Sequence, residues 1–195
     1  MESQILKSLQ TLFFFIILTT FTTSAVACSS STVRKTCKPT PYPRLCETAL
    51  SLYASQTKRN QQELCRAAMV SSLKAAQNAT SIVSKLSRKK VSPYEAQVLR
   101  DCIDNLNDSV DELRQAIAAI KSLSPRSNDV EFQLSSIKTW MSAAETDVIT
   151  CTDGLSGGAG RKVSQKVKKE VKNCSVNVVR QISNALSLVN NFNFK

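Results

Sequence analysis

Between Asn128 and Gly158 the apolar residues Val130, Leu134, Ile137, Met141, Ala144, Val148, Cys151 and Leu155 recur in alternating steps of four and three. That period belongs to a helix buried along one stripe, since a strand would alternate every second residue. Asn128 is placed to cap the start, with Glu131 three residues on to complete a capping box, and a glycine cluster to end the helix. Three further stretches share the period. Leu64, Ala68, Ser71, Ala75, Ala79, Ile82 and Leu86 mark a helix over about 61–87, closed by the cations Arg88, Lys89 and Lys90, which favour a helix C-terminus. Ser92, Pro93 and Glu95 predict the capped start of the next, whose stripe is Leu99, Cys102, Leu106, Val110, Leu113, Ile117 and Ile120, stopped by Ser124-Pro125. The last runs from about Arg161 to Val189 with Val163, Val167, Val171, Cys174, Val178, Ile182, Ala185 and Leu188 inward. Four helices of roughly seven turns with short links predict an all-α, up-down-up-down four-helix bundle.

Ahead of the bundle, over about 33–57, Pro39, Pro41 and Pro43 forbid one continuous helix and favour a turn between two short helical pieces. This predicts an N-terminal helical hairpin. A disulfide between Cys37 and Cys46, which bracket the turn, would contribute roughly 2–3 kcal/mol.

Composition agrees with the helical pattern. Glycine totals four and aromatics 6%, too few of each for a turn-rich sheet protein. Residues 1–27 have the charge at Lys7, the apolar run from Leu12 to Phe21 and the small-x-small Ala25-Val26-Ala27 of a cleaved signal peptide. The run is too short to span a bilayer, and the residue three before Cys28 is alanine rather than the leucine of a bacterial lipid anchor. A secreted chain of about 168 residues remains, with no membrane span after cleavage. In an exported protein the seven cysteines point to disulfides rather than to zinc or reactive thiols.

Two of those cysteines pass a geometric test. Residues equidistant from the turn of an antiparallel helical hairpin lie side by side. Cys102 and Cys151 each lie about 24 residues from a turn centred near 126, and both sit in an apolar stripe, so a bridge worth about 4 kcal/mol is natural there. Cys65 and Cys174 would be offset by roughly 15 Å along neighbouring helices, so they are expected not to bond to each other.

No catalytic constellation emerges. The chain has no histidine, which removes every imidazole mechanism and most metal sites. Gly154-Leu155-Ser156-Gly157-Gly158 spells a nucleophile elbow, yet it ends a helix rather than a strand and has no histidine partner. The glycines lack the Gly-Lys-Ser/Thr of a phosphate loop. The aliphatic inner stripes leave no place for a di-iron centre, so no cofactor, metal or enzymatic activity is expected.

Charge offers two surfaces instead. The net charge of +11 is concentrated at Arg88–Lys90 and between Arg161 and Lys172. With no interleaved aromatics these clusters do not suit nucleic acid; they are either solvated helix faces or a means of attraction to a polyanionic matrix such as pectin. Asp101, Asp104, Asp108 and Asp111 follow helical spacing opposite an apolar stripe, either as a solvated face or as a recognition strip for a basic partner. Four exposed carboxylates in a row hold nothing expected to raise a pKa. Asn78, Asn107 and Asn173 begin N-glycosylation sequons, and a glycan at Asn107 would crowd the aspartates.

Taken together, Cys37-x8-Cys46 around Thr40-Pro41-Tyr42-Pro43, Cys102 in Leu99-Arg100-Asp101-Cys102, and Thr139-Trp140-Met141-Ser142-Ala143-Ala144 leading to Thr150-Cys151-Thr152-Asp153-Gly154 resemble the plant invertase and pectin methylesterase inhibitors. The resemblance covers the whole mature chain, about 28–195. It implies the pairing of Cys37 with Cys46 and of Cys102 with Cys151, the latter reached independently above. It also implies a monomeric, secreted inhibitor of the apoplast and cell wall that binds pectin methylesterase one-to-one and covers its substrate cleft. Acid invertase is the family's other target. Asp129-Val130-Glu131-Phe132 with Lys138-Thr139-Trp140 is more similar to the methylesterase inhibitors, and the Pro-Lys-Phe motif associated with invertase inhibition is absent. Glu145, Leu155, Cys65 and Cys174 depart from the family pattern. Similar bundles occur as leaders of methylesterase precursors; with no enzyme domain following, this chain is expected to act in trans. The rival expectation is a wall protein that binds pectin and inhibits nothing.

Overall fold

The computed structural model describes residues 31–53, 60–156 and 162–193. The predicted signal peptide, Cys28 and the glycines at 157, 158 and 160 lie outside them. Helix α1 (31–37) and helix α2 (Pro43–Ser51) form the hairpin, with the proline-broken turn between them. Four long helices follow: α3 (Gln61–Ser87), α4 (Pro93–Ser122), α5 (Val130–Asp153) and α6 (Gln165–Asn190). Neighbours in sequence pack side by side, α6 closes the ring against α3, and α2 leans on α3 and α6. The result is an up-down-up-down bundle in which α4 and α6 sit diagonally.

One continuous core fills the bundle, built from the inward stripes of all four long helices and sealed by Val33, Cys37, Cys46 and Leu50 from the hairpin. On α4 and α5 the buried positions follow the sequence pattern closely, although Ile117, Val130 and Leu134 are only half-buried. On α3 the stripe holds at Leu64, Ala68, Ala79 and Leu86, but at three positions between them it is one residue out. Ser72, Ala76 and Val83 are fully buried, where Ser71, Ala75 and Ile82 were expected. Alanines lie on both flanks of this helix, and contact with two neighbours sets its rotation. On α6 the inward position is Ser175 rather than Cys174, which is half-buried.

The helix ends are joined by side chains reaching between elements. At one end of the bundle, Gln62 of α3 donates to the carbonyls of Ile120 and Leu123 at 2.7 and 3.0 Å, while Gln61 donates to Asn191 at 2.8 Å. Orphan carbonyls of α4 and α6 are thereby satisfied from the first turn of α3. Asn60 caps α3 itself by accepting from the Gln62 amide. At the opposite end the expected Ser92–Glu95 capping box is present. Glu95 does more than close it: one carboxylate oxygen accepts from the Ser92 amide and the other from the Ser164 amide ahead of α6, each at 2.9 Å. These amide donors hold the Glu95 carboxyl down at about 2.

Three helix ends differ from expectation. Asn128 does not cap α5; Asp129 occupies that position with φ −109° and makes no side-chain cap, so the Asn128–Glu131 box does not form. Ser127 takes over, its hydroxyl accepting from the Asp129 amide and from the Gln133 side chain. Helix α5 ends at Asp153, and α6 begins at Gln165 rather than near Arg161, although Leu155 and Val163 still bury their side chains beyond the helix ends. An apolar stripe records burial, and burial here continues past the helical hydrogen bonding.

Candidate functional site: an acidic and uncharged face on α4 and α5

Helices α4 and α5 are locked in register at three levels. Cys102 is bonded to Cys151 with the Cα atoms 4.3 Å apart. The buried Ser109 hydroxyl donates to the Ala144 carbonyl at 2.9 Å, in the same equidistant register. Leu106, Leu113, Met141 and Val148 fill the seam. At the hairpin, Cys37 is bonded to Cys46, and the Thr40 hydroxyl returns to the Cys37 carbonyl. Cys65 and Cys174 are free thiols, and burial pushes both thiol pKa values up, that of Cys65 to about 12, so neither is a reactive thiolate.

This rigid pair presents the aspartate strip outward. Asp101, Asp104, Asp108 and Asp111 are all exposed along α4. Asp101 accepts from the Gln97 amide at 2.8 Å, and Asp111 pairs with Arg114 at 2.7 Å. Asp104 and Asp108 have no hydrogen bond or ion pair among the described residues and stand open to a partner. Beside them lie two carboxylates that sequence reasoning did not single out. Glu112, with an Oε2 atom that is buried and unpartnered, is raised above the ordinary carboxylate range by partial burial and then by Asp147, Asp108 and Asp111. Asp147 on α5 is raised by partial burial and by Asp108. The raised groups are thus these two neighbours of the strip, whose coupling to Asp108 the sequence reading did not include. The equidistant rule that aligned Cys102 with Cys151 also brings Asp147 level with Leu106, half a turn from Asp108, so this coupling had a sequence signal.

The outer face of α5 is different in kind. Its exposed residues include Phe132, Ser135, Thr139, Ser142, Thr146 and Ile149, and none of those from 132 to 150 is charged. The hydroxyls of Thr139, Thr146 and Thr150 turn back onto carbonyls four residues earlier, leaving their methyl groups toward solvent. Phe132 is 74% exposed and Ile149 42%, apolar projections at either end of the face. An uncharged strip bordered by carboxylates costs little to desolvate at its centre and can be steered by charge at its edge. Glu145, at the departure from the family pattern, accepts from the Ser183 hydroxyl and so ties α5 to α6.

The three sequon asparagines are exposed. Asn107 falls within the aspartate strip, Asn78 lies on α3, and Asn173 lies on α6, diagonal to the strip. Among the described residues no His/Cys/Asp/Glu group could hold a metal ion, and no helix is long and apolar enough to cross a membrane.

Residues 31–188 match the family model of the plant invertase/pectin methylesterase inhibitors. A carrot protein described as a 21 kDa protein is 36% identical over 95% of each chain. Pectinesterase inhibitor 9 of Arabidopsis thaliana is 37% identical, over 84% of this chain and 81% of its own. In three dimensions, the crystal structure of a mutant form of an Arabidopsis pectin methylesterase inhibitor superposes with a TM-score of 0.60, covering 79% of this chain and 92% of that one at 21% identity.

Proposed function

The chain belongs to the plant invertase/pectin methylesterase inhibitor family, and from that premise we propose that it is a secreted, non-enzymatic inhibitor of pectin methylesterase in the cell wall. One molecule covers the substrate cleft of one enzyme molecule with the joint face of α4 and α5, and no covalent step is involved. The observation that carries this reading is the pairing of open carboxylates at Asp104 and Asp108 with the uncharged outer face of α5 on two cross-linked helices. A face held this rigidly loses little conformational freedom on docking. Related proteins named as pectinesterase inhibitors favour the methylesterase over acid invertase as the target.

Docking of acidic residues on a basic enzyme weakens as the carboxylates protonate. Glu112 and Asp147, with raised pKa values, lose their charge first as pH falls, so inhibition is expected to be tighter at pH 7 than at pH 5. The test is a titration of the mature, oxidised protein against a plant pectin methylesterase and a plant acid invertase at both pH values. Stoichiometric loss of methylesterase activity alone is expected, weakened by a combined Asp101→Asn, Asp104→Asn and Asp108→Asn variant. Loss of invertase activity alone would reassign the target, and unchanged affinity in the triple variant would remove the aspartates from the contact.

A further inference from the structure

On the far side of the molecule from the aspartate strip, the hairpin turn and α6 enclose an open groove of about 820 Å³, among whose walls are Pro41, Tyr42, Arg44, Lys172, Asn173 and Arg180. The groove is built rather than incidental. The side chain of Asn184, only 2% exposed, accepts from the Tyr42 amide and donates to the Tyr42 carbonyl, both at 2.9 Å, and so clamps the turn onto α6. The Arg180 guanidinium then stacks 5.3 Å from the centre of the Tyr42 ring. Arg44, Lys172 and Arg180 are exposed and form no ion pair among the described residues.

The cations continue beyond the groove. At 100° per residue, Lys166, Lys169, Lys172 and Arg180 share the face of α6 opposite its core stripe, a line of roughly 21 Å. Helix stability does not explain this placement. Three lysines, Lys166, Lys168 and Lys169, fall within the first five residues of α6, at the positive end of the helix dipole, and no acidic residue lies in its first turn. Cations there are unfavourable. The Ser164 side chain makes no compensating cap.

We infer that this groove and the basic line leading from it form a binding site for an acidic oligosaccharide of uronate residues, such as a de-esterified stretch of pectin. A linear array of cations matches a linear polymer with one carboxylate per sugar better than it matches a compact anion. The guanidinium groups of Arg44 and Arg180 suit paired hydrogen bonding to carboxylates. Tyr42, held between two prolines and stacked by Arg180, is still 38% exposed and offers that remaining aromatic surface to a sugar ring. Because α6 is diagonal to α4, the site faces away from the aspartate strip. If the proposed inhibition holds, the protein would stay on polymer its target has already de-esterified; the binding itself does not depend on that reading.

The test measures binding of the mature, oxidised chain to a labelled, de-esterified oligogalacturonate and to its methyl-esterified counterpart at low salt, with methylesterase inhibition followed in parallel. Only the de-esterified form should bind. Combined Arg44→Gln and Arg180→Gln should weaken binding roughly tenfold, and Lys89→Gln with Lys90→Gln, an equal charge loss at the end of α3, less than about twofold. Tyr42→Ala should weaken the oligouronide while sparing a polyglutamate of equal charge. Inhibition should be unchanged in every variant, which also reports that each is folded. The inference is overturned if the unaltered chain does not bind, if the two arginine and lysine pairs lose affinity equally, or if polyglutamate binds as tightly as the uronide. Loss of inhibition from the unaltered chain with groove binding retained would sink only the inhibitor reading.

Discussion

The α4–α5 side and the α6–hairpin side are parts of one bundle with one core, yet they are opposite in charge and in how they are fastened. On the first, four aspartates face outward, and a disulfide with the Ser109–Ala144 hydrogen bond fixes the register. On the second, lysines and arginines face outward, and the hairpin is fastened without a covalent link to the bundle, by core packing of Val33, Cys37, Cys46 and Leu50 and by the hydrogen bonds of one buried amide, Asn184. A net charge of +11 conceals this division. The lesson is that outward positions of a bundle are free to diverge because the core stripe alone satisfies the folding requirement. Two diagonal helices can then serve two partners of opposite charge.

The largest effect should come from cutting the covalent fastening. Replacing Cys102 and Cys151 together by alanine opens a link spanning 49 residues. Stability in urea unfolding should fall by about 4 kcal/mol. A loss below about 1 kcal/mol would mean that packing and the Ser109 bond already hold the α4–α5 register.

Next in size is the amide clamp. Asn184→Ala strands the Tyr42 amide, while the Tyr42 carbonyl keeps the Cys46 amide at 3.0 Å; stability should fall by about 2 kcal/mol. Oligouronide binding should be lost with the groove while methylesterase inhibition persists. If both activities declined together, the two sides would not be independent and the comparison would fail.

The smallest effect is electrostatic and depends on pH. Glu112 and Asp147 have folded pKa values above the ordinary carboxylate range, so the folded state holds their protons more tightly than the unfolded chain does. Their contribution favours folding at low pH and is lost as pH rises through the raised values. Glu112→Gln should therefore raise the Tm at pH 7 and have less effect near pH 4, with the difference growing as pH rises. Glu95 works in the other direction, its contribution present above the ordinary carboxylate range and lost as pH falls through about 2. A Tm gain for Glu112→Gln that was the same at both pH values would show that the cause is packing rather than charge.

The α-helical bundle, the order of its elements and the capping box at Ser92 could be read from the chain, because helical period and capping are local properties. The equidistant rule brought Cys102 beside Cys151, and it also aligns Ser109 with Ala144. Reading the exposed aspartates as outward-facing was equally direct, since they lie opposite a strong apolar stripe. What failed was local in another sense. On α3, alanines on both flanks made two adjacent stripes nearly equivalent, and only packing against α4 and α6 selected Ser72, Ala76 and Val83. At Asn128 a good capping sequence was present, but the chain leaving Pro125 turned so that Asp129 took the cap position instead.

By itself, then, the amino-acid order determined which segments are helical, which faces of α4 and α5 turn inward and which cysteine lies level with which across the α4–α5 turn. Each of these depends on spacing along one helix or across one short turn. The tertiary structure alone decided that Glu112 and Asp147 share the field of Asp108, that Glu95 spans two helix starts, and that Asn184 closes the hairpin onto α6 to form the groove. The last two join residues 69 and 142 positions apart. The rotation of each helix about its axis sets such contacts. That rotation follows from the packing of all four helices together.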